Sequence, residues 1–496
     1  MLIRGVPSAV LTHLVCLSLA PWTVSARADE AAELVELRRQ IQVLTDRLVA
    51  LESNADRAPS VSHTPTLETL DQQLRVLQRQ RELDTEAATE KARATPILNL
   101  GPGGLAVRTP DTNFVFRLRG YVQADARWFV DDPQSAVNDT FLLRRVRPIF
   151  EGTVAERFDY RLMLDFGSGQ SSSAANIGWI QDAYVNARWS PGLQVRVGKD
   201  KEPVGLERLQ SGSNLLFVER AFPTLLVPNR DVGVQVRGEI GSGLLEYQAG
   251  VFNGVADGGS GDTDRSDEDK DFAARVFVHP FARTTGFLRG LGVGMAGTYG
   301  EQSGPLRGFT SPGQQPVFSF FSGNGSATSP SVAANGVHWR LAPQAWFYHG
   351  PFGVLAEYTV SHQDTTHAAG TLSSREALDH QAWQVAASWF ITGEENSFRA
   401  VTPREPLRFQ DSGLGALELA ARVSGLNPDH DSFPAFASAD QSIASAFEWA
   451  LGLNWHLNRN VKLQFNYSQT SFEGANKNPL LADGERTLLG RIQFGF

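Results

Sequence analysis

The sequence predicts an all-β transmembrane barrel of about 16 antiparallel strands, preceded by a short α-helical coiled coil. Three observations carry this. From residue 112 onward the chain is built of segments that alternate apolar and polar residues. It ends on such a segment, with the aromatic Phe496 in last place. Before residue 96, by contrast, leucines recur at heptad spacing.

Of the 496 residues, 42% are hydrophobic, and the mean hydropathy is −0.22. No run of about 18 apolar residues occurs beyond the first 20 positions, so no transmembrane helix is expected. Strands that cross a bilayer with one face to lipid and one to water average to near neutrality, as here.

Residues 1–28 read as a secretory signal peptide: Arg4, an apolar stretch from Val10 to Ala20, and a small-x-small cleavage site at Ala26-Arg27-Ala28. The single cysteine, Cys16, falls inside it, so the remainder has no disulfide and no thiolate metal site. Losing Arg4 and Arg27 moves the formal charge from −9 to −11, which argues against nucleic acid as a partner.

Residues 29–95 read as a periplasmic coiled-coil segment with a linker. Leu34, Leu37, Ile41, Leu44, Leu48 and Leu51 form a first seam and Leu67, Leu70, Leu74 and Leu77 a second. Between them 53–66 is a linker, and 78–95 is a polar run. Helices this short need partners, which predicts a trimer or a contact with the cell wall. Residues 96–111, rich in Gly and Pro, read as a second linker.

The barrel is expected over 112–496. In 114–128, Phe114, Phe116, Leu118, Val122, Ala124, Ala126 and Trp128 share one face. Arg117, Arg119, Gln123, Asp125 and Arg127 share the other. In 142–154, Leu142, Val146, Pro148, Phe150 and Val154 oppose Arg145, Arg147 and Glu151, with Arg144 on the apolar side, near a rim or a register shift. Similar alternation follows at 160–166, 177–189, 193–197, 232–240, 272–278, 417–423, 447–455 and 461–467. The final segment sets Leu488, Ile492, Phe494 and Phe496 outward and Arg491 and Gln493 inward. At ~24 residues per strand and connection, 112–496 gives about 16 strands. The polar stretches 252–270, 301–337, 362–380, 393–412, 426–442 and 472–485 are expected as extracellular loops.

The basic residues are skewed, with 39 Arg to 6 Lys. Arg keeps its charge in confined places and grips oxyanions through a planar fork. Arg117, Arg119, Arg127, Arg145, Arg147, Arg161, Arg188 and Arg196 fall on expected inward faces, where a positive field in a narrow bore favours anions. The opposing reading pairs them with Asp125, Glu151, Asp165, Asp182 and Glu239, as stiffeners of the wall.

Three stretches, Gly120–Asp125, Phe141–Gly152 and Val197–Arg208 continuing to Arg220, resemble the phosphate-selective porin O and P family. The likeness extends over about 112–496. It implies a homotrimeric, anion-conducting pore in outer-membrane lipid, with an arginine ladder leading to an infolded constriction loop. Arg144 and Arg145 match the family's paired arginines, and Asp182 an acidic position near the constriction. Lys199 and Lys201 lie in the matching strand end. Arg208 takes the basic position after Gly-Leu-Glu, where phosphate-selective members carry Lys.

Other signals are weak. Gly292–Gly297 fits a dinucleotide fingerprint without the helix it needs. The acids at 257–271 fit a solvated loop better than a Ca²⁺ site, and His362 and His367 sit apart from any ligand set. No cofactor and no enzymatic activity are expected. The expected function is passive diffusion of small, phosphate-like anions. The alternatives are a general or organic-acid porin and a structural envelope tether.

Overall fold

The computed structural model describes residues 42–43, 45–46, 49, 67–130, 138–167, 180–262, 268–408, 413–475, 477–478, 481 and 483–496. The signal peptide, all six residues of the first heptad seam, the linker 53–66, and Ile177 and Trp179 lie outside these residues.

The second seam lies on helix α1 (Leu67–Ala94), which continues through the polar run. Leu74, Leu77 and Leu83 on it are exposed, and the pairs Arg75–Asp71 and Arg79–Glu82 join successive turns. No described helix is long and apolar enough to cross a membrane; strands do so instead.

Residues 96–111 are not a plain linker. They hold a hairpin, β1 (Ile97–Gly101) and β2 (Gly104–Arg108), turned at Pro102–Gly103. The glycines that suggested a linker build the turn, with Gly104 at φ +91°. β2 pairs with the start of β3 (Val115–Phe129) through Leu105–Leu118 to Arg108–Val115.

Sixteen strands close into an antiparallel barrel. After β3 come β4 (Thr140–Val154), β5 (Phe158–Leu164), β6 (Ile180–Ser190), β7 (Leu193–Asp200), β8 (Asp231–Ile240) and β9 (Leu245–Phe252). Then follow β10 (Asp271–Val278) and β11 (Leu291–Pro305). A small hairpin of β12 (Phe309–Thr310) and β13 (Pro316–Phe318) and the short β14 (Ser322–Ser326) stand outside the sixteen. β15 (Ser329–His349), β16 (Phe352–Ala369), β17 (Leu372–Phe390), β18 (Ala416–Asn427), β19 (Ile443–His456), β20 (Val461–Gly474) and β21 (Glu485–Gly495) complete the wall. β21 pairs with β3 from Thr487–Phe129 to Gly495–Tyr121, which leaves the spanning part no free edge.

The period-2 faces sort as expected. Val185, Val197, Phe272, Val276, Leu451, Phe465, Ile492 and Phe494 are exposed on the outside, while Arg275, Arg422 and Arg491 are buried inside. Aromatic pairs stand near the strand ends, Trp128 edge-on to Phe141 at one and Phe352 stacked on Trp389 at the other. Such rings suit the headgroup boundary.

Three expectations change. First, β3 and β4 slip register between Gln123–Arg145 and Ala124–Leu143, so Arg144 is an unpaired bulge residue. Leu143, not Leu142, then faces outward beside Ala124. A bulge adds one residue and flips the faces that follow. Second, 362–380 is mostly the paired length of β16 and β17, joined by a tight turn at Gly370. Its two faces are both polar, which erased the period-2 signal; both faces of a strand meet water beyond the lipid. Third, 391–415 lies at the end that also bears the short turns β6–β7, β15–β16 and β19–β20, opposite the long loops. Strand parity decides this, and polarity alone does not reveal it.

Leu451 sits midway along β19 on the lipid face. Leu451→Arg is expected to cost about 2–4 kcal/mol in urea unfolding from lipid vesicles.

Candidate functional site

The segment 201–230 leaves β7, crosses the bore and returns into β8. It carries a one-turn helix α2 (Leu206–Leu209) and a 3₁₀ turn at Phe222–Leu225. Val204, Leu206, Leu215, Phe217, Val218, Phe222 and Leu226 on it are fully buried, an apolar density that no solvated loop would carry. The wall makes room with small inward residues: Phe217 seats against Ala386, Ala420 and Ala450, and Val204 and Val227 against Ala273, Ala296 and Ala342. Gly205 has φ +78°, and a Cβ there would approach Val227 to 2.7 Å, so the turn into α2 requires glycine.

Polar wall residues pin the segment's backbone. Glu357 accepts the N–H groups of Leu206 (2.6 Å) and Glu207 (3.2 Å), the free donors at the start of α2. Gln384 donates to Glu357 (2.6 Å) and Glu207 (3.1 Å). Across the bore, Gln123 donates to the Gly212 carbonyl (2.8 Å) and Lys462 to the Leu215 carbonyl (3.1 Å). Asn466 accepts the Val218 N–H (2.6 Å), and Arg422 donates to the Glu219 carbonyl (2.9 Å).

The segment divides the lumen. On the short-turn side lies a cavity of about 1210 Å³, lined by Arg117, Arg119, Glu151, Arg161, Gln210, Arg399 and Lys462 among others. On the long-loop side is a chamber of about 110 Å³, lined by Arg144, Arg145, Arg208, Arg220 and Glu219, and by Thr310, Ser311, Pro312 and Gln314 from the β12–β13 hairpin.

Arg144, Arg145 and Arg208 therefore meet, as the paired-arginine and Gly-Leu-Glu stretches implied. The bulge is what turns both Arg144 and Arg145 inward. Arg144 forks onto Glu219 (2.7 and 3.2 Å), which also takes Arg127 (2.8 Å). Burial alone would raise the Glu219 carboxyl, but Arg144, Arg127 and Arg145 around it hold it well below the usual carboxylate range. Arg145 bonds only the Gln123 amide (2.7 Å) and Arg208 the Thr224 carbonyl. Arg220 bonds the carbonyls of Glu207 (3.2 Å) and Gln210 (2.9 Å). Among the described residues none of these three has a carboxylate partner. Burial, with Arg220 and Arg230 nearby, pushes the Arg208 pKa down. An arriving anion would relieve that cost.

The other basic residues are mostly engaged. Arg119 forks onto Glu151 (2.6 and 3.0 Å), and Arg147 pairs with Asp165 (2.7 Å) and donates to Tyr121 (2.9 Å). Asp182 joins Arg161 (3.1 Å) and Arg230 (2.7 Å). Arg188 pairs with Asp159 (2.8 Å), Arg196 with Asp200, and Lys199 with Asp262. Lys201 donates to the carbonyls of Leu209 and Gln210. Arg117 is exposed in the larger cavity. Sequence reasoning missed Arg220, Glu219, Arg230 and the β12–β13 hairpin. Glu219 and Arg220 stand at the end of the family-like stretch that runs from Val197 to Arg220; nothing in the sequence singled out the hairpin.

The discounted signals stay outside this site. Gly292–Gly297 lies within β11. Asp257 is half-buried and paired with Arg340 (2.7 Å), and His362 is stacked on Trp339 and bonded to Asp379 (2.7 Å). Among the described residues no group of three His, Cys, Asp or Glu is set to hold a metal ion.

Glu219 offsets Arg144 of the chamber and Arg127 beside it. Glu219→Gln is expected to raise the anion-to-cation permeability ratio in a KCl gradient, and to cost about 3–5 kcal/mol of stability because two guanidiniums lose their buried partner.

A family profile, phosphate-selective porin O and P, matches residues 116–496. Porin O of Pseudomonas aeruginosa is 23% identical over 417 residues, covering 79% of this chain and 91% of that protein. The outer membrane channel DcaP of Acinetobacter baumannii superposes with a TM-score of 0.49 at 12% identity, over 78% of this chain and 99% of that one. An anion-selective porin from Comamonas acidovorans gives 0.46 at 12% identity, over 77% and 100%. With the profile spanning β3 through the closing β21, the chain belongs to the phosphate-selective porin O and P family and is a porin of the bacterial outer membrane.

Proposed function

We propose that this porin passes small oxyanions, phosphate-like in shape and charge, in preference to cations, and that Arg144, Arg145, Arg208 and Arg220 hold them in the upper chamber. One observation carries the reading: three guanidiniums without a carboxylate partner among the described residues converge on one small space. In a confined low-dielectric bore such charges are weakly screened and concentrate anions. Guanidinium forks match the geometry of phosphate oxygens. Arginines already paired with carboxylates, such as Arg188 and Arg147, act in this reading as wall stiffeners.

We also propose that residues 29–95 form a periplasmic coiled coil in a homotrimer. A 28-residue helix that carries Leu67, Leu70, Leu74 and Leu77 at heptad spacing and leaves Leu74 and Leu77 exposed has an apolar side to cover.

Single-channel recording of the purified protein in a planar bilayer tests the first reading. The current is expected to be anion-selective in a KCl gradient and to be blocked by added phosphate. Arg208→Ala or Arg145→Ala should weaken that block by about tenfold or more, since each removes charge-assisted bonds. Arg188→Ala should leave it unchanged. Non-selective current without block would replace this reading with a general porin. For the coiled coil, Leu74→Asp with Leu77→Asp is expected to lower the temperature at which trimers dissociate on unheated gels.

A further inference from the structure

The upper chamber has a roof, which β12 and β13 build. Phe309 and Phe318 stack at 5.2 Å, both fully buried, and pack with Phe222 of the 201–230 segment in one apolar cluster. The turn between them is tied by the Ser311 N–H to the Gln315 carbonyl (2.8 Å) and the Gln314 N–H to the Ser311 carbonyl (2.9 Å). Its tip residues Thr310, Ser311, Pro312 and Gln314 face the arginines across the chamber.

Among the described residues, one wall residue bonds the tip. Glu485, buried at the start of β21, accepts from the Ser311 hydroxyl (2.6 Å) and the Gly313 N–H (2.9 Å). No cation pairs with Glu485 among the described residues. A carboxylate beside an anion path works against anion passage, so its place there calls for a structural return, and the two bonds to the roof supply it. The fit is close: a Cβ on Gly313 would lie 2.6–2.7 Å from the Glu485 carboxylate. Any side chain at 313 would push the carboxylate away.

We infer that the β12–β13 hairpin is the size filter of the anion path, and that Glu485 is the positioning residue that sets the chamber's height. This rests on the proposed anion site. The arginines supply attraction for any oxyanion, and the roof decides how large an ester fits beneath it. About 110 Å³ of the chamber is open to the centres of water-sized molecules, which is room for on the order of ten waters. A tetrahedral oxyanion takes up part of that space, and each carbon and hydroxyl added to it brings the ester closer to the roof. Thr310, Ser311 and Gln314 offer neutral hydrogen-bonding groups on the face opposite the guanidiniums.

The test compares block by inorganic phosphate with block by glycerol 3-phosphate, in bilayers, for the unaltered porin, Glu485→Gln and Gly313→Ala. Ser311→Ala, which removes one donor from the latch, is the milder third variant. Heat-dependent gel migration identifies the folded barrels. In the unaltered porin glycerol 3-phosphate should block at least about tenfold more weakly than phosphate. In the variants that difference should shrink to about threefold or less while the current stays anion-selective. An undiminished difference in every folded variant, with selectivity kept, would overturn the filter and leave the arginine site standing. Equal block by both probes in the unaltered porin would overturn it as well. Loss of anion selectivity in the unaltered porin would remove the arginine site, and the filter with it.

Discussion

A strand crossing hydrocarbon has no water to take its N–H and C=O groups, so each must find a partner within the chain. The ladder from Thr487–Phe129 to Gly495–Tyr121 meets that requirement for the first and last strands at once. Much follows from this closure. Sixteen strands fixed in a ring turn every second side chain inward, and the outward half must be apolar. The inner half is then free to carry arginine, glutamate and glutamine at a density no soluble core would hold. Those residues in turn give the 201–230 segment something to bond. Its backbone runs through the middle of the barrel, yet its carbonyls and amides meet Gln123, Glu357, Arg422, Lys462 and Asn466 in place of water.

Charge inside the lumen is balanced more closely than a count of arginines suggests. Arg119, Arg147, Arg161, Arg188 and Arg196 each meet a carboxylate; the first four pairs reach across to a neighbouring strand or its end, and Arg196 pairs with Asp200 along β7 itself. The excess is local. It is concentrated where the segment's Arg208 and Arg220 come against Arg145 from the wall, and Glu219 is the acid that lines their chamber. Acids and bases are thus distributed unevenly, paired along much of the wall and unmatched where the segment meets it.

The bulge at Arg144 shows how a small backbone irregularity shapes that waist. In a regular strand two consecutive residues face opposite ways, and one of Arg144 and Arg145 would point into lipid at a cost of several kcal/mol. Skipping one residue in the ladder lets both turn to the lumen. An arginine on an apolar face is therefore a readable mark of a bulge, and the sequence carried that mark. The one-residue shift it imposes on Leu142 and Leu143 was not readable, because leucine satisfies either face.

The sequence by itself determined the barrel, its approximate strand number and its closing strand. Alternation and terminal aromatics are local properties, and local properties survive in a linear string. Tertiary structure alone decided which arginines were neutralised, since Asp159, Asp165 and Glu219 reach them only through strand register and loop path. It also decided that Gly/Pro-rich residues 97–108 form a hairpin, that 391–415 belongs with the short turns, and that a ten-residue stretch after β11 roofs the site. Each of these depends on pairing between residues far apart in sequence or on which end of the barrel the chain has reached. Composition does not encode either quantity, and only the closed ring assigns them.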